Sequence, residues 1–198
     1  MYSKSFMLLL VMGAFVRCTA SFAESMSTSF DYLPLIDGQT REFRGYFGSG
    51  TDTVTFKTTK KEKDGIEYYD AGPAGWIRIE DGFVKVLLNP YAVQATEMRR
   101  TDFWPIISVD PKVGDVFGYS WGEGFARYTV EGFDTVETPA GTFTRTLKVR
   151  LDFIDLEQNG VNTSHRYWYA RNIGIVQTEF ITTGRVQKLV KCNPGCTL

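Results

Sequence analysis

The strongest constraint on the fold is a run of alternating side chains at residues 142–153. Its odd positions carry five apolar residues, Phe143, Leu147, Val149, Leu151 and Phe153. Its even positions are polar or charged, namely Thr142, Thr144, Thr146, Lys148, Arg150 and Asp152. A period of two over such a length predicts a long β-strand with one buried and one wet face. Arg145 is the exception on the apolar face, and we interpret it as a strand-end residue whose guanidinium reaches water.

The C-terminal part of the chain predicts further strands joined by short turns. Asn159-Gly160 is the strongest hairpin dipeptide in the sequence. After it, extended segments at 167–170, 175–181 and 185–190 are separated by Asn172-Ile173-Gly174 and Thr182-Thr183-Gly184. Strands with such short connections pair with their neighbours in the chain, so we expect an antiparallel meander.

The first half has the same organisation. Segments 41–47, 53–58, 65–70, 76–80 and 83–88 are rich in aromatic and β-branched residues and are separated by glycine-containing turns. A short helix is predicted at 89–100, where Asn89 would cap it and Pro90 would take the first helical position. The fold class is therefore all-β: a curved antiparallel sheet, as a half-barrel or an open barrel built from meanders, with at most one or two short helices.

Residues 1–23 have the organisation of a secretory signal peptide. Lys4 precedes an apolar run at 6–16, and Ser21-Phe22-Ala23 places small residues where a signal peptidase reads them. This run is too short to cross a bilayer, which needs about 20 residues. We expect cleavage near Ala23, which leaves a single β domain at 24–198 in the periplasm or outside the cell. Lipid anchoring at Cys18 is the alternative, but Arg17 stands where a small residue is needed.

Charge and cysteines narrow the function classes. Without residues 1–23 the chain has 20 basic and 23 acidic residues, a net charge of −3, which gives no basis for binding nucleic acid.

Cys192 and Cys196 flank Asn-Pro-Gly, a turn that can bring two cysteines within disulfide range. We predict a disulfide there, with a redox dithiol or free or intermolecular thiols as the alternatives. These two cysteines and one histidine fall short of a zinc site, so we expect no metal.

Catalytic residues are hard to assemble from this sequence. His165 is the one histidine, interpreted as a surface residue at a strand end, and no Gly-x-Ser-x-Gly elbow occurs. Glu123, flanked by glycines and close to Trp121, is the best candidate acid for a glycosidase. Its partner carboxylate would be one of Asp152, Asp155 and Glu157. We expect no catalytic residue and no cofactor.

Aromatic residues are abundant, with 15 Phe, 10 Tyr and 4 Trp. Trp76, Trp104, Trp121 and Trp168 are spread along the predicted sheet and are the candidate ligand-binding residues. Such side chains either fill the core of a curved sheet or line an apolar cavity that takes a lipid-like ligand.

Two motifs give the chain a family resemblance. The hairpin Thr138-Pro139-Ala140-Gly141-Thr142-Phe143, followed by Arg145, precedes Tyr167-Trp168-Tyr169-Ala170-Arg171-Asn172-Ile173-Gly174-Ile175-Val176. Together with Tyr32-Leu33-Pro34-Leu35 and Gly38, they resemble a broad group of bacterial exported proteins and lipoproteins of unknown function. The resemblance implies a cell-envelope location, no assigned catalytic residues, and a curved sheet similar to the half-barrels of lipoprotein carriers. The chain departs from the group in its Cys192/Cys196 tail and in lacking a good lipid-accepting cysteine.

The sequence therefore favours an exported cell-envelope protein that binds a hydrophobic ligand or an envelope partner without catalysis. A structural or assembly accessory that pairs through a sheet edge is the alternative. An envelope glycan hydrolase acting through Glu123 is the third hypothesis.

Overall fold

The computed structural model describes residues 30–47, 50–87, 97–121, 124–155 and 160–193. Several predictions concern residues outside these ranges: the signal peptide with its cleavage near Ala23, Cys18, most of the helix at 89–100, Glu123, Asn159 and Cys196. They stay predictions, as does the division of the chain at residue 23.

Strands account for most of the described chain. They are β1 (Thr40–Phe47), β2 (Gly50–Lys57), β3 (Thr59–Lys63), β4 (Ile66–Asp70), β5 (Trp76–Glu80), β6 (Phe83–Leu87), β7 (Phe103–Ser108), β8 (Val116–Trp121), β9 (Gly124–Thr138), β10 (Gly141–Asp155), β11 (Gly160–Ala170), β12 (Gly174–Phe180) and β13 (Arg185–Asn193). Two short 3-10 turns, Gly72–Ala74 and Arg100–Asp102, are the helical elements of this part of the chain. No helix within it is long and apolar enough to cross a membrane.

The strands form two antiparallel sheets that do not close. The larger sheet has the order β2-β1-β13-β12-β11-β10-β9-β8, and the smaller has the order β3-β4-β5-β6-β7. Strands β8 to β13 and strands β3 to β7 are each consecutive neighbours, so both halves are meanders, as the short turns predicted. The all-β fold class of open antiparallel sheets is confirmed.

One hydrophobic core lies between the sheets. It contains Ile77 and Val84 of the smaller sheet together with Val130, Leu147 and Val149 of the larger one, and each of the five is at most 1% exposed. A second, smaller cluster contains residues of β4, β6 and β7 together with Met98. Aromatic side chains belong to both clusters, so within the described residues many of them fill the core.

Strand β10 confirms the predicted alternation and corrects the interpretation of Arg145. Phe143, Leu147, Val149 and Leu151 are all buried. Between Phe143 and Thr146 the register with β9 shifts by a β-bulge, and Arg145 has a φ of 52° there. The β-bulge, rather than a strand end, explains why a charged residue stands at this position of the alternation. Arg145 leaves the apolar face and is exposed, while Thr146 is buried and donates a hydrogen bond to the carbonyl of Asp134 at 2.8 Å.

A single residue, Thr58, connects the two sheets between β2 and β3. Its backbone N–H donates to the carbonyl of Gln39 at 2.8 Å, and its carbonyl accepts from Gly38 at 2.9 Å. Its hydroxyl accepts a hydrogen bond of 2.8 Å from the guanidinium of Arg41, which is only 2% exposed. Burial lowers the pKa of Arg41 to about 10. A buried polar cluster therefore fixes the point where the chain changes sheets.

Candidate functional site

The four candidate tryptophans lie in different parts of the fold. Trp168 is 7% exposed, and its indole N–H donates to a carboxylate oxygen of Asp134 at 3.0 Å. Trp76 stacks on Tyr68 with ring centroids 5.1 Å apart, at the edge of the second cluster. Trp104 on β7 is 38% exposed. Trp121 ends β8. A tryptophan ligand site stays a prediction, and the pockets described below are lined by other residues.

Asp152, one of the candidate glycosidase acids, is a structural residue in the described chain. It is 1% exposed although the alternation placed it on the wet face. Its carboxylate accepts hydrogen bonds from Ser164 at 2.6 Å, Arg150 at 2.7 Å and Arg127 at 2.9 Å. Burial raises its pKa, but these three donors prevail and hold the pKa below its ordinary value. The partner of a catalytic acid must be ionised, as Asp152 is, but this carboxylate is buried under three donors and a substrate cannot reach it.

His165 is half-buried in the middle of β11, which corrects its interpretation as a surface residue at a strand end. Its ring packs against Phe180 at 4.8 Å, Phe153 at 5.9 Å and Tyr167 at 6.1 Å between centroids. Nδ1 lies 3.1 Å from the Tyr167 hydroxyl, and burial lowers the pKa of the imidazole. Ser164 faces the opposite side of the strand and bonds Asp152, so these neighbours do not form a nucleophile and base pair.

The described residues hold no group of three or more His, Cys, Asp or Glu side chains arranged to take a metal ion. Cys192 lies in β13, whereas its predicted partner Cys196 is outside the described ranges, so the disulfide stays a prediction.

The larger pocket, of about 550 Å³, opens where the pairing of β4 and β5 ends. These strands are paired only at Tyr69–Ile77 and Asp70–Trp76. Beyond that pairing, both strands line the pocket together with the segment before β1 and the turn between β11 and β12. The lining residues are apolar or aromatic (Phe30, Pro34, Leu35, Tyr69, Ile79) and polar or charged (Asp31, Glu67, Arg78, Asn172).

A smaller pocket of about 300 Å³ adjoins it through Asp31, which lines both. We call it the arginine pocket, and it is lined by Asp31, Tyr32, Val109, Asp110, Pro111, Phe133, Arg145 and Arg171. The guanidinium of Arg171 lies 5.3 Å from the Tyr32 ring centroid and that of Arg145 lies 5.8 Å from the Phe133 ring. The two rings are 6.2 Å apart. Two guanidiniums therefore flank a pair of touching aromatic rings.

Three sequence segments that are distant in the chain meet at the arginine pocket. Tyr32 belongs to the Tyr-Leu-Pro-Leu segment, Arg145 follows the Pro-Ala-Gly-Thr-Phe hairpin, and Arg171 follows Tyr-Trp-Tyr-Ala. The backbone N–H of Asn172 donates to the carbonyl of Asp31 at 2.6 Å and joins the first segment to the third. The hydrogen bond that Arg171 donates to the Tyr32 hydroxyl, at 3.3 Å, raises the pKa of that guanidinium.

Sequence reasoning did not single out this pocket. Arg145 and Arg171 are 26 positions apart and Tyr32 lies far upstream, so no local spacing connects them. The only local signal was the break that Arg145 makes in an otherwise regular alternation.

The described chain is thus an all-β protein of two packed antiparallel sheets with two adjoining open pockets. Residues 125–187, from β9 to the start of β13, match the DUF3108-like family. No curated protein matches the sequence. A crystal structure from Bacteroides fragilis, described as an exported protein with a YmcC-like fold, is 18% identical with a TM-score of 0.49 and covers 84% of this chain and 100% of that chain. A second structure, described as a lipoprotein from Parabacteroides distasonis, is 14% identical with a TM-score of 0.42 and covers 83% of this chain and 99% of that chain.

Proposed function

We propose that this chain is a cell-envelope binding protein without catalytic activity, and that its larger pocket takes a ligand with an apolar body. The observation that carries the proposal is the pocket itself. A volume of about 550 Å³ is in the range of small-molecule sites, and five apolar or aromatic side chains form much of its lining. The signal-peptide pattern at 1–23 supports the cell-envelope location.

The arrangement of charged groups favours binding over hydrolysis. Asp152, the described candidate acid, is engaged by three donors on the larger sheet and lines neither pocket. Among the described residues of the larger pocket, Asp31 and Glu67 have no histidine, serine or cysteine beside them, so this lining supplies no Ser–His or Cys–His pair. The apolar part of this lining offers contact whose free energy is proportional to the area that a ligand covers.

The test measures thermal unfolding with fatty acids of increasing length, from acetate through octanoate to dodecanoate. A ligand that binds only the folded state, at one hundred times its dissociation constant, raises the melting temperature of a chain of this size by roughly 5–10 °C. We expect no shift with acetate and a rising shift with chain length. Leu35→Glu places a charge in the apolar lining and should abolish the shift.

Ile36→Glu is the matched control, because Ile36 is 39% exposed, adjacent in sequence and absent from the pocket lining. Since Leu35 also contacts the core, displacement of a bound fluorescent fatty acid well below both melting temperatures supplies a second readout. No shift at any chain length, with no lipid released on organic extraction, would contradict the proposal. That result would favour partner binding at a sheet edge, for which Val116 on the end strand β8 is 56% exposed.

A further inference from the structure

The arginine pocket brings together charges of both signs that attract one another without forming an ion-pair contact. It is lined by Arg145 and Arg171 and by Asp31 and Asp110. None of the four forms an ion pair within the described part of the chain, where every ion pair joins other residues. The larger sheet shows the contrasting arrangement, since Arg166 there binds both Glu131 and Glu179. Charges that face a common space without pairing are available to a ligand.

Each of the two guanidiniums lies against an aromatic ring of the pocket. Arg171 lies over Tyr32 and donates to its hydroxyl, and Arg145 lies over Phe133. A ring contact restrains a guanidinium while leaving its N–H donors free for an anionic oxygen. Phe133 is 39% exposed, so it also offers an apolar face to a bound molecule.

The backbone of the two aspartates is anchored as well. Val109, next to Asp110, donates its N–H to the carbonyl of Gly82 at 2.9 Å, and Asp110 donates its own N–H to the Ser108 hydroxyl at 3.2 Å. Asp31 accepts the hydrogen bond from Asn172 through its carbonyl. The backbone of both aspartates is therefore fixed where they line the pocket.

Arg145 reaches the pocket at a conformational cost. Its φ of 52° is in the left-handed region, which costs a non-glycine residue about 1–2 kcal/mol. A bulge that re-aims one side chain into a pocket is a frequent feature of binding sites. Glycine would take this backbone conformation without strain, so the presence of arginine points to a role for its side chain.

We propose that the arginine pocket binds a small zwitterionic group, with its anionic oxygens on Arg145 and Arg171 and its ammonium on Asp31 and Asp110. A ligand of one sign meets attraction from one pair of residues and repulsion from the other, whereas a zwitterion is attracted by both. A volume of about 300 Å³ suits a group of that size. This chemistry occurs in free amino acids and in the phosphoethanolamine head group of a lipid. The inference is independent of the ligand proposed for the larger pocket.

Calorimetric titration of the full chain at constant low salt tests the proposal with four soluble probes. Glycerophosphoethanolamine and glycine carry both charges, inorganic phosphate carries only negative charge and ethylammonium only positive. We expect at least one zwitterion to bind at least about tenfold more tightly than either single-sign probe. Dihexanoyl phosphatidylethanolamine separates the two sources. If it binds more tightly than its head group, the ligand is a lipid. If it binds no more tightly than glycine does, the ligand is a free zwitterion.

Substitutions give the proposal its sharpest test. Arg171→Gln and Arg145→Gly should each weaken zwitterion binding at least about tenfold. Because glycine suits the backbone of the bulge, the Arg145→Gly variant should fold normally, and a loss of binding in it reports on the side chain. Asp110→Asn should weaken the binding of the zwitterion, because its ammonium loses a partner. It should strengthen the binding of inorganic phosphate, because the repulsion between the phosphate and the carboxylate is removed. Arg44→Gln, which changes an exposed residue of β1 outside both pockets, should leave the binding of every probe unchanged. No binding by any probe, or an Asp110→Asn variant that binds zwitterion as before, would overturn the proposal. None of these changes touches Leu35, so the result is distinct from that for the larger pocket.

Discussion

At the scale of single residues, Arg41 and Gly174 show how a buried cation is accommodated. The guanidinium of Arg41 is buried; among the described residues it donates to the hydroxyl of Thr58 and lies near the phenol of Tyr169, with no ion pair to a carboxylate. Gly174 leaves room for it: a Cβ built on Gly174 would overlap Nη1 of Arg41, and the φ of 94° is also one that glycine tolerates best. The glycine is required by the arginine as much as by its turn.

Gly174→Ala should therefore destabilise the protein by about 3 kcal/mol, because backbone strain and overlap with a buried charge add together. Gly184→Ala is the matched control. Gly184 also has a positive φ, of 66°, but no atom lies within 4 Å of a Cβ placed there. The Gly184→Ala variant should be destabilised only by the backbone strain, about 1 kcal/mol. Urea unfolding measures both values, and equal losses would show that Arg41 does not constrain position 174.

The sequence predicted a turn at Asn172-Ile173-Gly174 but not the reason for its glycine. Turn chemistry is local and can be read from the residue types. The overlap with Arg41 arises only after β1 and the start of β12 are brought together in space, and no pattern in the sequence reports that distance.

At the scale of secondary-structure elements, the bulge in β10 places Arg145 where its side chain is not needed for the stability of the fold. Arg145→Gly should leave the free energy of unfolding unchanged or raise it by up to about 1 kcal/mol, because the residue is exposed and its φ is positive. Thr144→Gly is the control: Thr144 is exposed on the same strand without a positive φ, and the change should cost about 1 kcal/mol. If Arg145→Gly cost more than Thr144→Gly in denaturant unfolding, the side chain of Arg145 would be stabilising the fold.

The strand itself was predictable and its bulge was not. Alternation at 142–153 records which side chains face the core, and β10 buries the apolar set as expected. The bulge depends on the register with β9, where Phe143 is opposite Val136 and Thr146 is opposite Asp134. Burial of Asp152 is likewise a cross-strand effect, since Arg127 and Ser164 come from β9 and β11.

At the scale of the whole molecule, His165 connects global stability to pH. It contacts side chains of β10, β11 and β12, and it is the only histidine in the chain. Burial lowers its pKa in the folded state from an ordinary value of about 6.5. Below that pH the unfolded chain takes up a proton more readily than the folded one. Its contribution to stability is thus complete above about pH 6.5 and is lost as the pH falls through the lowered pKa.

The expected result is a free energy of unfolding that decreases between about pH 7 and pH 5. His165→Phe keeps an aromatic ring in the cluster and removes the titration, so its profile should be flatter over this range. Carboxylates with lowered pKa values, such as Asp152, lose their contributions at more acidic pH. Parallel profiles for the two proteins would assign the pH dependence to groups other than His165.

The two meanders follow from local patterns, but the arrangement that makes the pockets does not. Short turns and alternating strands predict which neighbours pair. The arginine pocket instead depends on the segment before β1, the bulge of β10 and the turn after β11 meeting at one place. These contacts join residues more than one hundred positions apart, such as Tyr32 and Arg171.

The pairing of β1 with β13 also determines when the fold can be completed. Thr40 lies 153 residues before its partner Asn193, so a ribosome that has just made β1 and β2 will make almost all the remaining strands before β1 gains its second neighbour. Such high contact order makes folding slow and leaves the outer edge of β1 unpaired until β13 is made. Completion of the larger sheet is therefore delayed by the topology itself until β13 has been made.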